Sequence, residues 1–434
     1  MRRYILSLVT VAFATAFYAQ SAKEEIKMDI RLSASNHLAY PGPSQRQLTP
    51  APQGKKPFYI SHYGRHGSRY LISPMDYDYP LGVLRDANGE GMLTDLGKEV
   101  MERVSNMREE AAGRMGELSP LGAVQHREIA NRMYNRFPEV FGDGCLVEAK
   151  STVVIRCILS MENELLEFMR LNPTLRFMHD ASEHDMDYMN FEDFELFEQR
   201  WDSKMDSIYG AYCERIVNPD YLLCKVFVDT TYAHRNIDIP KFYERMFKLA
   251  STIQNTEARV NITLYDLFTD EDVYCNWKCS NVWWYMRYGA YPQNGGKQPF
   301  SQRKLLRKII EEADSCLKKE SPGATLRFGH ETMVLPLTCL LGINGADLET
   351  TDINHLEQKG WVNYRIFPMG ANIQIIFYRS DLQDDDVLVK VLLNENEAYL
   401  PLKTDSAPYY HWKDFREYYL NKIDEYEAGL QLKP

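Results

Sequence analysis

The sequence lacks any run of five or six basic residues, and its 434 residues carry a formal net charge of -11. Proteins that bind nucleic acid gather lysine and arginine on one face, so this acidic balance argues against nucleic acid as a partner. An anionic substrate would therefore need positive charge concentrated in a local pocket. Internal repeats and low-complexity tracts are also missing. Since 44% of the residues are hydrophobic, the composition is that of a globular protein with one large or two medium domains.

Long apolar stretches are missing after residue 19, whereas a membrane-spanning helix needs about 20 apolar residues. Residues 1–19 carry Arg2 and Arg3, an apolar stretch from Tyr4 to Phe17, and small residues near its end. This is the pattern of a secretory signal peptide. We therefore expect export to the periplasm or the extracellular space, and no stable membrane span in the mature chain. The oligomeric state is not readable from the sequence.

Eight cysteines follow this segment, and an even number in an exported chain permits disulfides. Cys275 and Cys279 are close enough in sequence to bridge, and Cys213 with Cys224 is a second candidate pair. Free thiols are the alternative. A zinc site would need two more ligands at comparable spacing, and none stands out. The cysteine pattern therefore predicts disulfides in preference to a metal site.

Strand-like and helix-like segments alternate along most of the chain, which predicts a mixed α/β sheet flanked by helices. The predicted strands cover residues 57–60, 146–155, 324–328, 360–367, 372–378 and 387–393. The predicted helices cover residues 94–115, 120–137, 157–171, 301–317 and 412–428. Residues 20–56 are rich in Ser, Pro, Gln and Gly and are predicted to be mostly loop.

The composition changes between residues 183 and 299, where Asp, Glu, Met, Trp and Tyr are dense and strand-like runs are few. Apolar residues recur there at helical spacing. We expect a mainly helical insertion over 183–299. The α/β core would then be built from residues 30–182 and 300–434.

The segment from Ser61 to Leu71 places one histidine between two arginines, directly after the predicted strand 57–60. Arg65 and Arg69 offer forked donors that fit phosphate oxygens. The histidine between them, His66, is a nucleophile available near neutral pH. A polar loop at the carboxyl end of a buried strand is where open α/β sheets bind ligands. This favours phosphoryl transfer through histidine, with a solvated loop as the alternative interpretation.

Two other predicted strands are also followed by polar groups. His330 and Glu331 follow the strand 324–328, and they offer a donor to phosphate oxygens and a proton carrier for the leaving oxygen. A zinc-protease motif is excluded because Val334 stands where a second histidine would be required. Arg156 follows the apolar run that ends at residue 155, and it is either a pocket residue or an ordinary helix-start residue paired with a carboxylate.

At these residues the sequence resembles the histidine phosphatase superfamily, in its acid phosphatase and phytase branch. A further stretch near the C-terminus is similar to the tail of multiple inositol polyphosphate phosphatases. The segments that carry the resemblance, in chain order, are residues 65–69 (Arg-His-Gly-Ser-Arg), 119–127 (Ser-Pro-Leu-Gly-Ala-Val-Gln-His-Arg), 156–160 (Arg-Cys-Ile-Leu-Ser), 329–332 (Gly-His-Glu-Thr) and 387–395 (Val-Leu-Val-Lys-Val-Leu-Leu-Asn-Glu).

The resemblance implies a phosphoglycerate mutase-like α/β core with an inserted helical cap. His66 would be the nucleophile that becomes phosphohistidine, and Glu331 would be the proton donor. No metal or other cofactor is expected, because arginines supply the positive charge. The groups that would bind the phosphate are Arg65, Arg69, Arg156 and His330.

Two positions depart from the family pattern. Most acid phosphatases of this branch have His-Asp at the second motif and the inositol polyphosphate group has His-Ala-Glu, whereas here Glu331 directly follows His330. Tyr70 stands where many members have proline. The predicted function is an exported phosphomonoesterase with a small-molecule phosphate ester as substrate, and inositol polyphosphates such as phytate are the favoured class. A broad-specificity or sugar-phosphate acid phosphatase is one alternative, and a non-catalytic surface protein that binds an anionic ligand is another.

Overall fold

The structure is a computed structural model, and it describes residues 21–431. The predicted signal peptide at residues 1–19 lies outside this range. Among the described helices, none combines the length and the apolar character that crossing a bilayer requires.

One mixed sheet forms the centre of the described chain. Its strands are β1 (Lys56–Arg65), β2 (Leu146–Ser151), β3 (Arg176–Asp180), β4 (Gly323–Gly329), β5 (Asn372–Arg379), β6 (Leu388–Leu393), β7 (Asn396–Glu397) and β8 (Tyr409–His411). They are arranged in the order β3-β2-β4-β1-β5-β6-β7, and β8 pairs with β6. The predicted fold class, a mixed α/β sheet flanked by helices, is confirmed.

The parallel half of the sheet positions the polar loops. Strands β1 and β2 both pair with β4 in parallel, whereas β5 runs antiparallel to β1. In this register Arg65 lies opposite Gly329, and Ser151 lies opposite Phe328. Because the strands are parallel, the carboxyl ends of β1, β2 and β4 meet at one edge of the sheet. The three polar segments that follow the predicted strands are therefore neighbours.

Helices cover both faces of the sheet. They are α1 (Ala22–Met28), α2 (Met75–Gly89), α3 (Asp95–Glu110), α4 (Pro120–Arg136), α5 (Ile155–Leu171), α6 (Met186–Met189), α7 (Phe194–Arg200), α8 (Ser203–Ile216), α9 (Asp220–Val226), α10 (Thr230–Asn236), α11 (Ile239–Thr252), α12 (Asp270–Tyr288), α13 (Arg303–Leu317), α14 (Glu331–Leu341), α15 (Asn363–Ile366) and α16 (Trp412–Gln431). Helices α4 and α5 pack on one face, and α13, α14 and α16 pack on the other. Burial on both faces explains why β1 is an almost continuous buried run.

The regular elements between residues 183 and 302 are helical in the structure. Helices α9, α11 and α12 share a second hydrophobic core with α1, α2 and α3. The segment before β1 belongs to this cluster too: α1 is followed by a 3-10 segment, Ile30–His37, that contacts α11, α12 and α15. The domain boundaries at residues 30, 183 and 300 stay a prediction.

The structure differs from the predicted elements at several places. Residues 360–367 were expected to form a strand, but they form a loop and the short helix α15. Their backbone bonds to the side chain of Asn281 in α12, which takes hydrogen bonds that a neighbouring strand would otherwise make. Strand β3 was not predicted, because it is a short, mostly exposed edge strand without an apolar pattern. The strand predicted over residues 146–155 ends at Ser151, and the following helix already begins at Ile155.

Neither predicted disulfide is formed, and all eight cysteines are free thiols. Cys275 and Cys279 lie one turn apart in the same helix, α12, where regular helical hydrogen bonding fixes their spacing. Cys213 and the exposed Cys224 lie in separate helices, α8 and α9. The thiol of Cys213 interacts instead with that of Cys279, and this interaction lowers the pKa of Cys213.

Candidate active site

His66 follows the last residue of β1, where the backbone is held on both sides. Its N–H donates to the carbonyl of Gly329 at 3.0 Å, and its own carbonyl accepts from the N–H of Gly370 at 2.9 Å. The side chain is fully buried. These bonds tie the residue after the central strand to the ends of its two neighbours.

The imidazole of His66 has a defined tautomer. Its Nδ1 lies 2.9 Å from the carbonyl of Gly67, and because a carbonyl only accepts, Nδ1 carries the hydrogen. Nε2 is then the unprotonated nitrogen, and it has no hydrogen-bond partner among residues 21–431. Burial lowers the pKa of His66 well below its usual value, and the charges of Arg65 and Arg156 act in the same direction. The ring is therefore neutral near pH 7, with a free lone pair on Nε2.

The loop after His66 packs against the first turn of α4. A Cβ atom on Gly67 would lie 2.6 Å from the carbonyl oxygen of Gly122, and one on Gly122 would lie 2.3 Å from that of Ser68. Glycine at both positions permits this close approach. Ser119 caps α4 by accepting from Gly122 N at 3.3 Å, and its hydroxyl donates to the Ser68 carbonyl at 3.1 Å. The segment 119–127 thus supports the nucleophile loop.

Arg65 is the most enclosed of the three predicted arginines, with no exposed surface. Nη1 donates to the carbonyl of Phe367 at 2.8 Å, and Nε lies 3.0 Å from Oε2 of Glu331. Nη2 has no partner within residues 21–431. The guanidinium is thus fixed by one bond and one ion pair while a further donor remains for an anion.

Arg69 and Arg156 complete a group of three cations. Arg69 is buried, and its Nη1 donates to the Tyr70 carbonyl at 2.9 Å. Arg156 lies in the first turn of α5 and contacts the carbonyl of Gly116 at 3.4 Å. Nε of each has no partner in the described chain. Burial lowers the pKa of Arg69 to about 10, and the charges of Arg65 and Arg156 add to this shift, so the three guanidinium groups lie close enough to repel one another.

His330 follows Gly329, the last residue of β4, and Glu331 begins α14. The His330 ring lies edge-on to His66 with the centroids 5.7 Å apart, and its Nε2 is 3.3 Å from the hydroxyl of Thr152. Burial lowers the pKa of His330 to about 4, with Arg156 and Arg65 contributing. The imidazole is therefore neutral and available as a hydrogen-bond donor.

The Glu331 carboxylate faces the nucleophile. Oε2 lies 3.6 Å from His66 Nε2 as well as 3.0 Å from Arg65 Nε. Burial favours the neutral carboxyl group, but the guanidinium charges of Arg65 and Arg69 outweigh it and hold the pKa of Glu331 well below its usual value. The position at the N-terminus of α14 favours the anion as well. Glu331 is therefore ionised at neutral pH.

The charges around this cluster suit an anion. Ligand atoms of His66, His330 and Glu331 all lie within 4.8 Å of one another, a trio of donor types that transition metals accept. However, three arginines surround a single carboxylate there, and their net positive charge opposes a cation. A tetrahedral anion with several acceptor oxygens matches the unpartnered guanidinium nitrogens.

All six predicted site residues thus lie together at one edge of the sheet. The structure adds residues that sequence reasoning missed as site residues. Ser160 accepts from Gly67 N at 3.1 Å and Gln125 accepts from Ser68 N at 2.9 Å, and both lie inside the segments that carried the family resemblance. Asn36 donates to Glu331 Oε1 at 3.5 Å. It comes from the segment predicted to be loop, where no sequence pattern identified it.

Solved structures of other proteins share this fold. The multiple inositol polyphosphate phosphatase of Bifidobacterium longum is 18% identical; its complex with phosphate gives a TM-score of 0.75 over 90% of this chain and 98% of that chain. Its complex with inositol hexasulfate gives a TM-score of 0.72 over 88% of this chain and 96% of that chain. The phytase from D. castellii is 14% identical, with a TM-score of 0.63 over 91% of this chain and 85% of the phytase. Identities this low show the fold alone, and no curated protein matches the sequence.

The family can be assigned from the sequence itself. Residues 65–394 match the model of the histidine phosphatase superfamily, branch 2, a stretch that begins at Arg65 and includes every residue of the site described above except Asn36. Three guanidinium groups next to a buried histidine can stabilise the charge of a phosphoryl group during ester cleavage. The chain therefore belongs to the histidine phosphatase superfamily, branch 2, and is a phosphoric monoester hydrolase.

Proposed function

We propose that this enzyme cleaves phosphate monoesters through a phosphohistidine on His66, and that inositol polyphosphates such as phytate are its substrate class. One observation carries the mechanism: His66 Nε2 is unprotonated, buried and unpartnered, and it lies among guanidinium groups that also have unpartnered nitrogens. A nucleophile held next to donors for the phosphoryl oxygens is the arrangement that covalent phosphoryl transfer needs.

In the first step the Nε2 lone pair forms a bond to phosphorus as the bond between phosphorus and the ester oxygen breaks. Arg65, Arg69 and Arg156 stabilise the charge on the non-bridging oxygens. The leaving alkoxide takes a proton from Glu331, so that a neutral alcohol departs. In the second step the Glu331 carboxylate accepts a proton from water as the water oxygen attacks phosphorus. The phosphorus–nitrogen bond breaks, and inorganic phosphate leaves.

Glu331 must be protonated for the first step although the arginines keep it ionised in the free enzyme. A dianionic phosphate ester on the same arginines adds negative charge next to Glu331, which raises the pKa of the carboxyl group. The nucleophile stays neutral at acidic pH, because burial lowers the pKa of His66. The raised pKa of Glu331 in the substrate complex and the lowered pKa of His66 both favour hydrolysis on the acidic side of neutrality.

Further cations near the pocket support a polyanionic substrate. Lys248 and Arg245 of α11 both pair with the buried carboxylate of Asp76, Lys248 at 2.8 Å, so the three groups together keep one positive charge. Burial lowers the pKa of His37, and the charges of Arg69 and then Lys248 add to this shift, so Lys248 and the pocket residue Arg69 both act on the same imidazole. A substrate with several phosphates would meet this second positive region when one phosphate occupies the site. The proteins of similar fold, a multiple inositol polyphosphate phosphatase that is solved with inositol hexasulfate and a phytase, support this class.

A broad-specificity or sugar-phosphate acid phosphatase is the second candidate. It is favoured by the position of the acid, since the carboxylate that reaches the pocket belongs to the residue directly after His330, as in the His-Asp members of the branch. Thr332 stands where the inositol polyphosphate group has its glutamate. The two candidates share the same chemistry and differ in the substrate that is turned over fastest.

The mechanism is tested by phosphate release from phytate by the wild type and by His66→Ala, with the exposed Asn135→Ala as a matched control. We expect loss of release in the first variant only. Brief incubation with radiolabelled substrate should give an acid-labile phosphoenzyme in the wild type. Equal release by His66→Ala would remove His66 from the mechanism, and tight binding of phytate without a phosphoenzyme would indicate a non-catalytic binding protein. A panel of phytate, glucose phosphate and a chromogenic ester, compared by kcat/KM, separates the two enzymatic candidates.

Export is also a proposal, and it is supported by the basic and apolar pattern of residues 1–19. The intact mass of the protein recovered from a periplasmic or culture fraction tests it. A mature chain that begins near residue 20 is the expected result, and a full-length chain in the cytosolic fraction is the contradicting one.

A further inference from the structure

The segment before β1 reaches the catalytic carboxylate. Asn36 lies in the 3-10 segment Ile30–His37, and its Nδ2 is 3.5 Å from Oε1 of Glu331. Because an ionised carboxylate only accepts hydrogen bonds, the amide nitrogen must be the group that faces it. Among residues 21–431, no other uncharged side chain donates a hydrogen bond to the Glu331 carboxylate. The other contacts of Glu331, to Arg65 and His66, are made by Oε2.

The residue before Asn36 is fixed in an unusual conformation. Ser35 is buried and has φ 56° and ψ -121°, in the left-handed half of the map where a side chain is unfavourable. Its hydroxyl oxygen accepts from Asn363 Nδ2 at 2.7 Å and from the hydroxyl of Ser280 at 2.7 Å. Asn363 belongs to α15 and Ser280 to α12, so two helices hold this turn. Strained backbone that the surroundings fix in this way is typical of functional sites.

The residue after Asn36 is bonded to the nucleophile loop. The carbonyl of His37 accepts from Asn255 Nδ2 at 2.7 Å, and Asn255 Oδ1 accepts from the hydroxyl of Ser68 at 2.7 Å. Ser68 is the second residue after His66. The next carbonyl, of Leu38, accepts from the N–H of Met369 at 2.8 Å. Asn36 is therefore fixed relative to both the nucleophile and the carboxylate.

We propose that Asn36 is a positioning residue for the proton transfer: it holds Oε1 of Glu331 so that Oε2 faces the phosphoryl group on His66. The proton then leaves Oε2 for the ester oxygen as the ester bond breaks, and Oε2 takes a proton from water in the second step. This inference rests on the proposed function, because it assumes that Glu331 is the acid. The bond of 3.5 Å is long, as catalytic hydrogen bonds often are before substrate binds.

Other groups around Glu331 do not offer this support. Arg65, Arg69, His66 and His330 face it from the core, and they belong to the phosphate pocket or to the nucleophile. From the cap, Tyr288 of α12 is near enough for Glu331 to raise its pKa in addition to the effect of burial. His37 is buried on the N-terminal side and is bonded to Thr252 at 3.2 Å. Asn36 alone combines a neutral donor, contact with Oε1 and a fixed backbone on both sides.

The leaving group provides the test. An alkyl phosphate needs a proton on its leaving oxygen, whereas 4-nitrophenyl phosphate releases a stable anion and depends little on an acid. In Asn36→Ala we expect kcat/KM for an alkyl phosphate to fall about tenfold, a part of the 10²–10⁴-fold effect of general acid catalysis. The value for 4-nitrophenyl phosphate should change less than about twofold, and inhibition by inorganic phosphate should not change. The parameter kcat/KM is used because it reports the steps up to departure of the first product.

A double-mutant cycle separates this role from a structural one. If Asn36 acts through Glu331, Asn36→Ala should have no further effect in the Glu331→Gln background. Asn36→Ser, which keeps a shorter donor, should fall between the wild type and the alanine variant and covers the case in which alanine fails to fold. An equal loss for both esters, or an undiminished loss in the Glu331→Gln background, would overturn the proposal. The outcome is distinguishable from failure of the proposed function, which would appear instead as full activity of His66→Ala.

Discussion

Two buried glutamates of this enzyme, Glu331 and Glu164, should respond in opposite ways to replacement by glutamine. In Glu331→Gln the buried guanidinium of Arg65 loses its counter-charge, which lies 3.0 Å away. Coulomb's law gives about 5 kcal/mol for such a pair at an effective dielectric constant of about 20, and desolvation of the carboxylate offsets part of this. Breaking a buried pair by removing one partner typically costs about 3–5 kcal/mol. We expect about 3 kcal/mol, because the glutamine oxygen still accepts from Asn36.

Glu164 provides the matched comparison. It accepts from His126 Nδ1 at 2.8 Å, but burial raises its pKa, so the charged form is less favourable at this position than in water. A glutamine there keeps the hydrogen bond and removes the buried charge. We therefore expect Glu164→Gln to leave the free energy of unfolding at pH 7 unchanged or to increase it. The exposed Glu99→Gln is the neutral control.

The assay is urea unfolding at several pH values, with and without inorganic phosphate. The folded-state pKa of Glu331 is lowered, so its contribution to stability is present above the unfolded value of about 4.3 and is lost as the pH falls through the folded value. The deficit of Glu331→Gln should thus be constant from pH 7 to about 5 and shrink at lower pH. Phosphate should stabilise this variant more than the wild type, because the anion replaces the missing carboxylate. A Glu331→Gln variant as stable as the wild type at pH 7 would refute the reasoning.

Three further predictions follow from the same site. Gly122→Ala places a methyl group 2.3 Å from the Ser68 carbonyl oxygen; the overpacking should cost about 1–3 kcal/mol, and displacement of the nucleophile loop should reduce kcat/KM by about 100-fold. Gly82→Ala, in α2 with nothing within 4 Å of the added atom, is the control and should be stabilised by about 0.5–1 kcal/mol in a thermal melt. The pH dependence of kcat/KM should have its maximum below neutrality, since hydrolysis falls as Glu331 loses its proton; a maximum well above pH 7 would contradict the roles of Glu331 and His66. A metal chelator should leave the rate of phosphate release unchanged, and a rate that is lost with chelator and restored by a divalent cation would show that metal is required.

The two histidine motifs could be placed from the sequence, because the short apolar runs before them are the buried strands β1 and β4. The apolar run before Arg156 lies beyond the end of β2 and leads into α5. Once β1, β2 and β4 are parallel, Arg65, Arg156 and His330 must meet at one edge. The strand predicted over residues 360–367 is wrong, because an apolar pattern indicates burial but does not specify the hydrogen-bond partners of the backbone. There, Asn281 supplies the partners of Trp361 and Asn363.

The contribution of Asn36 could not be predicted for a different reason. Short helical segments such as Ala22–Met28 and Ile30–His37 are not stable on their own and form through contacts with distant parts of the chain. The sequence around Asn36 has no periodic pattern that would predict these segments. The position of Asn36 beside Glu331 depends on the bonds of its neighbour Ser35 to Ser280 and Asn363, and on the packing of α12. Contacts of this kind follow from the assembled tertiary structure and are not specified locally.

The pairing of β1 with β4 also has a consequence for how the enzyme folds. Tyr59 and Thr325 are hydrogen-bonded across this pair although they lie 266 positions apart in the chain. Closing so large a loop costs entropy before any contact compensates it, and folds dominated by such pairings form slowly. The nucleophile His66 follows β1 and its partner His330 follows β4, so they come together only when these two strands pair. A nascent or truncated chain that lacks β4 therefore contains the complete Arg-His-Gly-Ser-Arg motif and still has no catalytic site, so that activity reports completion of the whole core.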